Sequence, residues 1–206
     1  VVVADVDAAG GEDRWLRVLQ DLAGLPCGLP VAVQVRAKGR TADQLRRLAA
    51  AARDVLASRV RVVLNGPAPV ARELALAGVH WPEVEIPEAV PPEALVLLRS
   101  ASVHGPSGLP RAEAVAHYVV FGPVFSPRSK PGVGAGLEAL RRVCAASRRP
   151  VLAVGGVTVG RVAACLGAGA AGVAVVSEVL RAPDPAAAVL RLVDALGASG
   201  RCAGKP

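Results

Sequence analysis

Short β-branched runs alternate with longer stretches whose apolar residues recur at helical spacing. Residues 1–4 form an apolar run that ends at Asp5, and after Gly10-Gly11 a helical pattern covers 12–22. Residues 31–36 (VAVQVR) alternate apolar and polar positions, the period of a half-buried strand. Thr41 stands where a helix N-cap is needed, and Leu45, Leu48, Ala49, Ala52, Val55 and Leu56 then return every three or four residues. Arg61–Asn65 is predicted as a third strand, stopped by Gly66-Pro67. A short helix over 70–77 and a fourth strand at Gly78–Trp81 follow. Pro82, Pro87, Pro91 and Pro92 leave room for little more than one helical turn before the fifth strand and its end at 95–104. Beyond it the pattern predicts helix 111–116, strand 118–122, a Pro/Gly/Ser-rich loop over 123–136 and helix 137–146. Strand Val151–Val154, helix 159–167, strand 172–176 and helix 185–196 complete the series.

Parallel strands need helical crossovers, so strand–helix alternation repeated eight times implies a parallel α/β sheet. The short, fairly even period favours a single-domain (β/α)8 TIM barrel with a shortened fourth crossover. The alternative is an open doubly wound sheet, but Gly10-Gly11 does not supply the G-x-G-x-x-G of a dinucleotide-binding sheet. The barrel domain is expected over residues 1–198, and 199–206 as a disordered tail.

Composition narrows the function. At 52% hydrophobic and 20% charged residues the chain is not a disordered one. Aromatics are 2%, too few for the stacking platforms of single-stranded nucleic-acid binders, so no nucleic-acid partner is expected. Twenty-four Lys+Arg against 17 Asp+Glu leave a charge of +7. That excess suits either an Arg-rich solvated surface or small phosphorylated substrates. The 4 cysteines (Cys27, Cys144, Cys165, Cys202) show neither C-x-x-C nor zinc-finger spacing and read as small apolar residues in a reducing compartment. No apolar run reaches membrane-span length, and the start lacks a basic n-region, so a cytoplasmic protein without a membrane partner is expected. The sequence sets no oligomeric state.

In such barrels the reacting groups lie at the C-terminal ends of the strands, and phosphate often binds after strands seven and eight. Period two puts Gln34, Arg36 and Lys38 on one face of strand two, either as three anion-binding donors on the inner rim or as solvated strand-end charges. Strand three ends in Asn65, strand five in Ser102 and His104, and strand six runs into Ser126-Pro127-Arg128-Ser129-Lys130. Gly155-Gly156 ends strand seven just before a helix, which suits either a phosphate cradle or a plain tight turn. Val176-Ser177 ends strand eight. His104 is a candidate acid or base, or a structural hydrogen-bonder; His117 precedes strand six and reads as structural.

The stretches FGPVFSPRSKPG, GLEALRRV, RPVLAVGGVT and ACLGAGAAGVAVVSEVL, with VQVRAKGRTADQL, VVLNG and GVHWPE before them, resemble the thiamine phosphate synthase superfamily. That superfamily also holds thiazole tautomerases and inactive relatives. The likeness keeps its order over nearly the whole chain, and its barrel is the one the alternation predicts. The resemblance implies a transferase of thiamine biosynthesis that joins hydroxymethylpyrimidine diphosphate to thiazole phosphate with release of pyrophosphate. The diphosphate leaves first, and the thiazole nitrogen captures the pyrimidine-stabilised cation. The same resemblance assigns Gln34, Arg36, Lys38, Asn65, Ser102 and Lys130 to the pyrimidine diphosphate, with Lys130, Ser102 and Arg36 as catalytic residues. Ser102 would lie near the pyrimidine ring and Lys130 on the departing diphosphate. Ser129, Gly156, Val176 and Ser177 would bind the thiazole phosphate.

Two departures from the family pattern bear on metal binding. The synthases hold Mg²⁺ through an Asp directly after the Asn, and Gly66 stands there. The second family Asp falls at Glu85, which with Glu83 is either a weaker Mg²⁺ ligand or an ordinary loop glutamate. Pro127 replaces a family Thr. His80-Trp81-Pro82-Glu83 is nearer the tautomerase branch, yet Pro123 occupies the position of that branch's catalytic His. A thiazole tautomerase-like isomerase and a non-catalytic thiazole or thiamine phosphate-binding protein are therefore the alternatives.

Overall fold

The β-branched runs become eight strands, each parallel to the next and hydrogen-bonded in chain order. They are β1 (Val2–Asp5), β2 (Ala32–Arg36), β3 (Arg61–Asn65), β4 (Gly78–Trp81), β5 (Leu98–Val103), β6 (Tyr118–Phe121), β7 (Val151–Val154) and β8 (Gly172–Ala174). The sheet closes on itself beyond β8. Val3 N–H donates to the Val175 carbonyl at 2.8 Å, and Val175 N–H to the Val1 carbonyl at 2.9 Å. The computed structural model describes residues 1–57, 59–126 and 133–202, with side chains as far as 198. The architecture is the (β/α)8 barrel that the alternation predicts.

The outer layer is α1 (Val6–Ala9), α2 (Glu12–Ala23), α3 (Ala42–Leu56), α4 (Ala68–Glu73), α5 (Leu109–Val115), α6 (Gly136–Ala146), α7 (Val162–Gly167), α8 (Ser177–Leu180) and α9 (Pro185–Cys202). Thr41 starts α3 with a reciprocal pair: its hydroxyl accepts Gln44 N–H at 3.3 Å, and the Gln44 side chain accepts Thr41 N–H at 2.9 Å. The apolar stripe of α3, including Leu48, Ala49, Ala52 and Leu56, is buried against the barrel. Trp15 is buried on α2 and donates its indole N–H to the Ala4 carbonyl at 2.9 Å, which ties that helix to β1. Among the described residues no helix is long and apolar enough to cross a membrane.

Several boundaries differ from the periodic reading. α4 begins at Ala68 rather than at Val70, with Pro67 as its N-cap and Pro69 in its first turn, where no backbone amide is needed. The fourth crossover contains two 3₁₀ turns, Glu83–Glu85 and Pro92–Ala94, so the prolines shorten it further than one α-turn. β5 begins at Leu98, since the preceding residues finish the second turn. The helix after β7 opens as a 3₁₀ turn (Val159–Arg161) before α7. The last helix runs past Leu196 to Cys202. Two one-turn helices, α1 and α8, lie directly at the ends of β1 and β8.

The barrel interior has two unlike walls. Val3, Val120 and Ala174 cluster inside it with Tyr118, Leu152, Val154 and Val176, all from β6, β7, β8 and β1 or the residues continuing them. The opposite wall carries the buried polar residues Gln34, His80 and Ser100 from β2, β4 and β5.

Candidate active site

Above the polar wall the strand ends enclose a cavity of about 520 Å³. Asp5, Gln34, Arg36, Lys38, Asn65 and Ser102 all line it, so strands one, two, three and five deliver their terminal polar residues to one mouth. Pairing explains the convergence. Asp5 is in register with Arg36, Asn65 with His80, and His80 with Ser100, which places these side chains at neighbouring heights around the rim.

Hydrogen bonds fix the orientation of each group. Buried Asp5 takes the Arg36 guanidinium on one oxygen and the Ala8 N–H, at 2.8 Å, on the other, so Arg36 is held by its neighbour strand rather than waving in solvent. Asn65 donates its amide N–H to the Gln34 carbonyl oxygen at 3.4 Å, which leaves the Gln34 NH2 and the Asn65 oxygen for a ligand. His80, only 3% exposed, bridges Ser100 at 2.9 Å through Nδ1 and Ser102 at 2.8 Å through Nε2. Ser100 donates to the Val79 carbonyl at 3.4 Å, so the network assigns the proton of neutral His80 to Nδ1. Nε2 then accepts the Ser102 hydroxyl proton and turns the Ser102 lone pairs to the cavity. Burial foremost, and the nearby Arg36 cation second, push the His80 pKa down to about 4, so the ring is neutral at physiological pH.

A second chamber of about 280 Å³ adjoins the mouth, lined by Gly156, Val157, Thr158, Ser177, Glu178 and Arg181 among others. Gly155 and Val176 face the mouth, their chain successors Gly156 and Ser177 face this crevice, and Arg181 lines both. The two glycines are required by geometry. Both have positive φ (+91° and +61°), and a Cβ at Gly155 would stand 2.5 Å from Pro123 Cα. Val124 N–H donates to Val154 O at 2.8 Å and Phe125 N–H to Gly155 O at 3.0 Å, so the loop after β6 lies directly against this turn. Arg161 completes the brace, with its guanidinium 4.6 Å from the Phe125 ring centre and a 2.7 Å bond to the Gly156 carbonyl.

Gln34, Arg36, Lys38, Asn65, Ser102 and Val176 are therefore together in the mouth, and Gly156 and Ser177 in the crevice. Ser129 and Lys130 lie outside the described residues. Glu85 is exposed on its 3₁₀ turn and does not line the cavity, because the prolines of the fourth crossover fold that turn outward. Glu83 is committed to the protein: it accepts the His104 N–H at 2.9 Å, while His104 Nδ1–H donates to the Gly122 carbonyl at 2.6 Å. His117 accepts the Arg99 amide at 3.0 Å, a structural bond at the start of β6.

The described donors do not fit a Mg²⁺ cage. Asp5 is already paired with Arg36 and accepts the Ala8 N–H, Asp7 pairs with Arg40 at 2.8 Å, and Gly66 offers no side chain. Among the described residues no three His, Cys, Asp or Glu side chains cluster closely enough to hold an ion.

The barrel, the polar mouth and the glycine-edged crevice lead to what known proteins share with this chain. A family model described as thiamine monophosphate synthase matches residues 2–179. The chain belongs to that family. It is 35% identical over 192 residues to the putative thiamine-phosphate synthase of Geobacter sulfurreducens, spanning 89% of this chain and 87% of that protein. It is also 35% identical over 172 residues, 81% of this chain, to the thiamine biosynthesis bifunctional protein ThiM/ThiE of Symbiobacterium thermophilum, of which it spans 34%. Thiamine phosphate pyrophosphorylase from Pyrococcus furiosus superposes with a TM-score of 0.77 at 24% identity, over 96% of this chain and 95% of that one, a likeness of fold. Within the thiamine monophosphate synthase family frame, three lining residues stand out that the motifs did not single out as site residues: Asp5, His80 and Arg181. Asp5 was legible only as the end of the first strand. His80 had a clearer signal, a polar residue on the inward period of β4.

Proposed function

We propose that the protein is a thiamine-phosphate synthase that joins hydroxymethylpyrimidine diphosphate to thiazole phosphate. The observation that carries this reading is the gathering of Gln34, Arg36, Lys38, Asn65 and Ser102 at one mouth, beside a separate crevice edged by Gly156 and Ser177. Two anionic ligands need two such places. A reaction on thiazole phosphate alone needs one, and no histidine stands at Pro123 to serve it.

In the reaction the carbon–oxygen bond to the diphosphate breaks, and its electron pair leaves with pyrophosphate. The thiazole nitrogen then donates its lone pair to the vacated carbon. The chain's part is to stabilise departing charge and to align the nucleophile. Arg36, oriented by Asp5, and Lys38 face the diphosphate, with Lys130 assigned to the leaving group. Ser102, its hydroxyl donating a hydrogen bond to His80, offers lone pairs to the amino group of the pyrimidine, while Gln34 and Asn65 hold the ring edge. Arg36 is catalytic through charge, Ser102 through ring polarisation. Mg²⁺ dependence is general in the family. In this chain the protein's own contribution to charge neutralisation is the cationic side chains rather than a carboxylate cage.

Pyrophosphate release tests the reading. With both substrates and Mg²⁺ present, the protein should release pyrophosphate and form thiamine phosphate in equal amounts. No pyrophosphate at any Mg²⁺ concentration would reject it.

A further inference from the structure

The mouth and the crevice meet at one cationic side chain. Arg181 caps the C-terminal end of α8, one turn after Ser177, and is the residue that lines both chambers. The other arginines near the mouth and crevice are engaged, Arg36 with Asp5, Arg40 with Asp7, and Arg161 with Phe125 and the Gly156 carbonyl, while Lys38 lines the mouth but not the crevice. Among the described residues no carboxylate lies within ion-pair distance of Arg181.

The crevice also contains a negative group. Glu178 lines it and accepts the Val159 N–H at 3.2 Å, which fixes its carboxylate at the crevice wall. A phosphate entering beside Gly156 and Ser177 meets that carboxylate, and like charges at close range in a partly desolvated site are costly. A cation must offset it there, and Arg181 is the cation lining this chamber.

We propose that Arg181 is a substrate-binding residue that selects the phosphorylated form of the thiazole substrate, its guanidinium holding the phosphate in the crevice beside Ser177. The assignment rests on the synthase reading above and adds the specificity determinant to it. Arginine suits the task, because its planar fork matches phosphate oxygens and it is charged at every working pH.

The test is steady-state kinetics of the wild type, Arg181→Gln and Arg181→Lys with each substrate varied in turn, and with the unphosphorylated thiazole alcohol as a competitive inhibitor. Arg181→Gln should raise KM for thiazole phosphate about 10- to 100-fold, the scale of one hydrogen bond to a charged group. The loss should fall on KM far more than on kcat. Inhibition by the alcohol and KM for the pyrimidine diphosphate should move by less than about threefold, and Arg181→Lys, which keeps the charge but not the fork, should recover only part of the affinity. The proposal is overturned if KM for thiazole phosphate does not change, if the alcohol weakens in step with it, or if the pyrimidine diphosphate is the substrate that weakens. Should the wild type release no pyrophosphate, the synthase reading fails on its own. Calorimetric titration of thiazole phosphate into the same variants then decides the Arg181 assignment.

Discussion

Neutral His80 makes stability depend on acidity in a defined window. In the unfolded chain the ring titrates at 6.5, and in the fold at about 4, because burial first and Arg36 second oppose its charge. The unfolded state therefore binds the extra proton between those values, and stability falls as pH drops from 6.5 toward 4. Above 6.5 both states are neutral and the contribution is complete. At about 1.4 kcal/mol per pH unit, acidifying from about pH 7.5 to about pH 4.5 should cost roughly 2–3 kcal/mol from this ring alone. That is a large share of a typical domain stability of about 5–15 kcal/mol. Urea denaturation of the wild type and of His80→Asn across that range isolates the effect. The substitution changes absolute stability by disturbing Ser100 and Ser102, so the quantity to compare is the difference in slope with pH. The wild type should lose roughly 2–3 kcal/mol more than the variant over the interval. Parallel pH profiles, or an NMR titration that finds the His80 ring protonating near 6.5, would refute the reasoning.

Three further outcomes are expected. Lys130→Ala should lower kcat by roughly 10²–10³, the cost of one transition-state charge donor, and an unchanged pyrophosphate release rate would remove Lys130 from the mechanism. Gly155→Ala should destabilise the fold by about 1–3 kcal/mol, because its φ is +91° and the new methyl would meet Pro123 Cα at 2.5 Å; urea unfolding at the wild-type midpoint would count against this. If no protein cage holds Mg²⁺, half-saturation should rise with the concentration of the pyrimidine diphosphate in the assay. A tight half-saturation that ignores the substrate would point to a metal site within the protein.

Much of the barrel could be read from the pattern, since each strand carries its own β-branched run and each crossover its own stripe. Thr41 announced the start of α3, and period two put Gln34, Arg36 and Lys38 on one face of strand two, which the closed barrel turns toward the mouth. Proline-rich junctions were harder. In the fourth crossover several φ angles are locked, and local turn geometry rather than periodicity decides where the chain goes. Glu85 illustrates the point: its spacing from His80 matched a ligand register, but the 3₁₀ turn directs it outward. The crevice was half legible. Gly155-Gly156 and Ser177 mark it in the sequence, whereas Arg181 enters only because the one-turn helix α8 folds back over the end of β8. His80 and Asp5 needed the register of neighbouring strands, a long-range property no local window contains.

The unequal walls of the barrel act as a key for orientation. A flat heteroaromatic ring lowered into the mouth gains from laying one side along Val120, Val154 and Val176, and from turning its nitrogen-bearing rim to Ser102 and Gln34. Rotated by half a turn it would strand its heteroatoms on hydrocarbon and leave the Ser102 hydroxyl and the Gln34 amide unserved. Which way up the guest arrives is thus dictated by which strands are oily, and exchanging a valine on β6 for a hydroxyl-bearing residue would be the shortest route to a barrel that admits a differently substituted heterocycle.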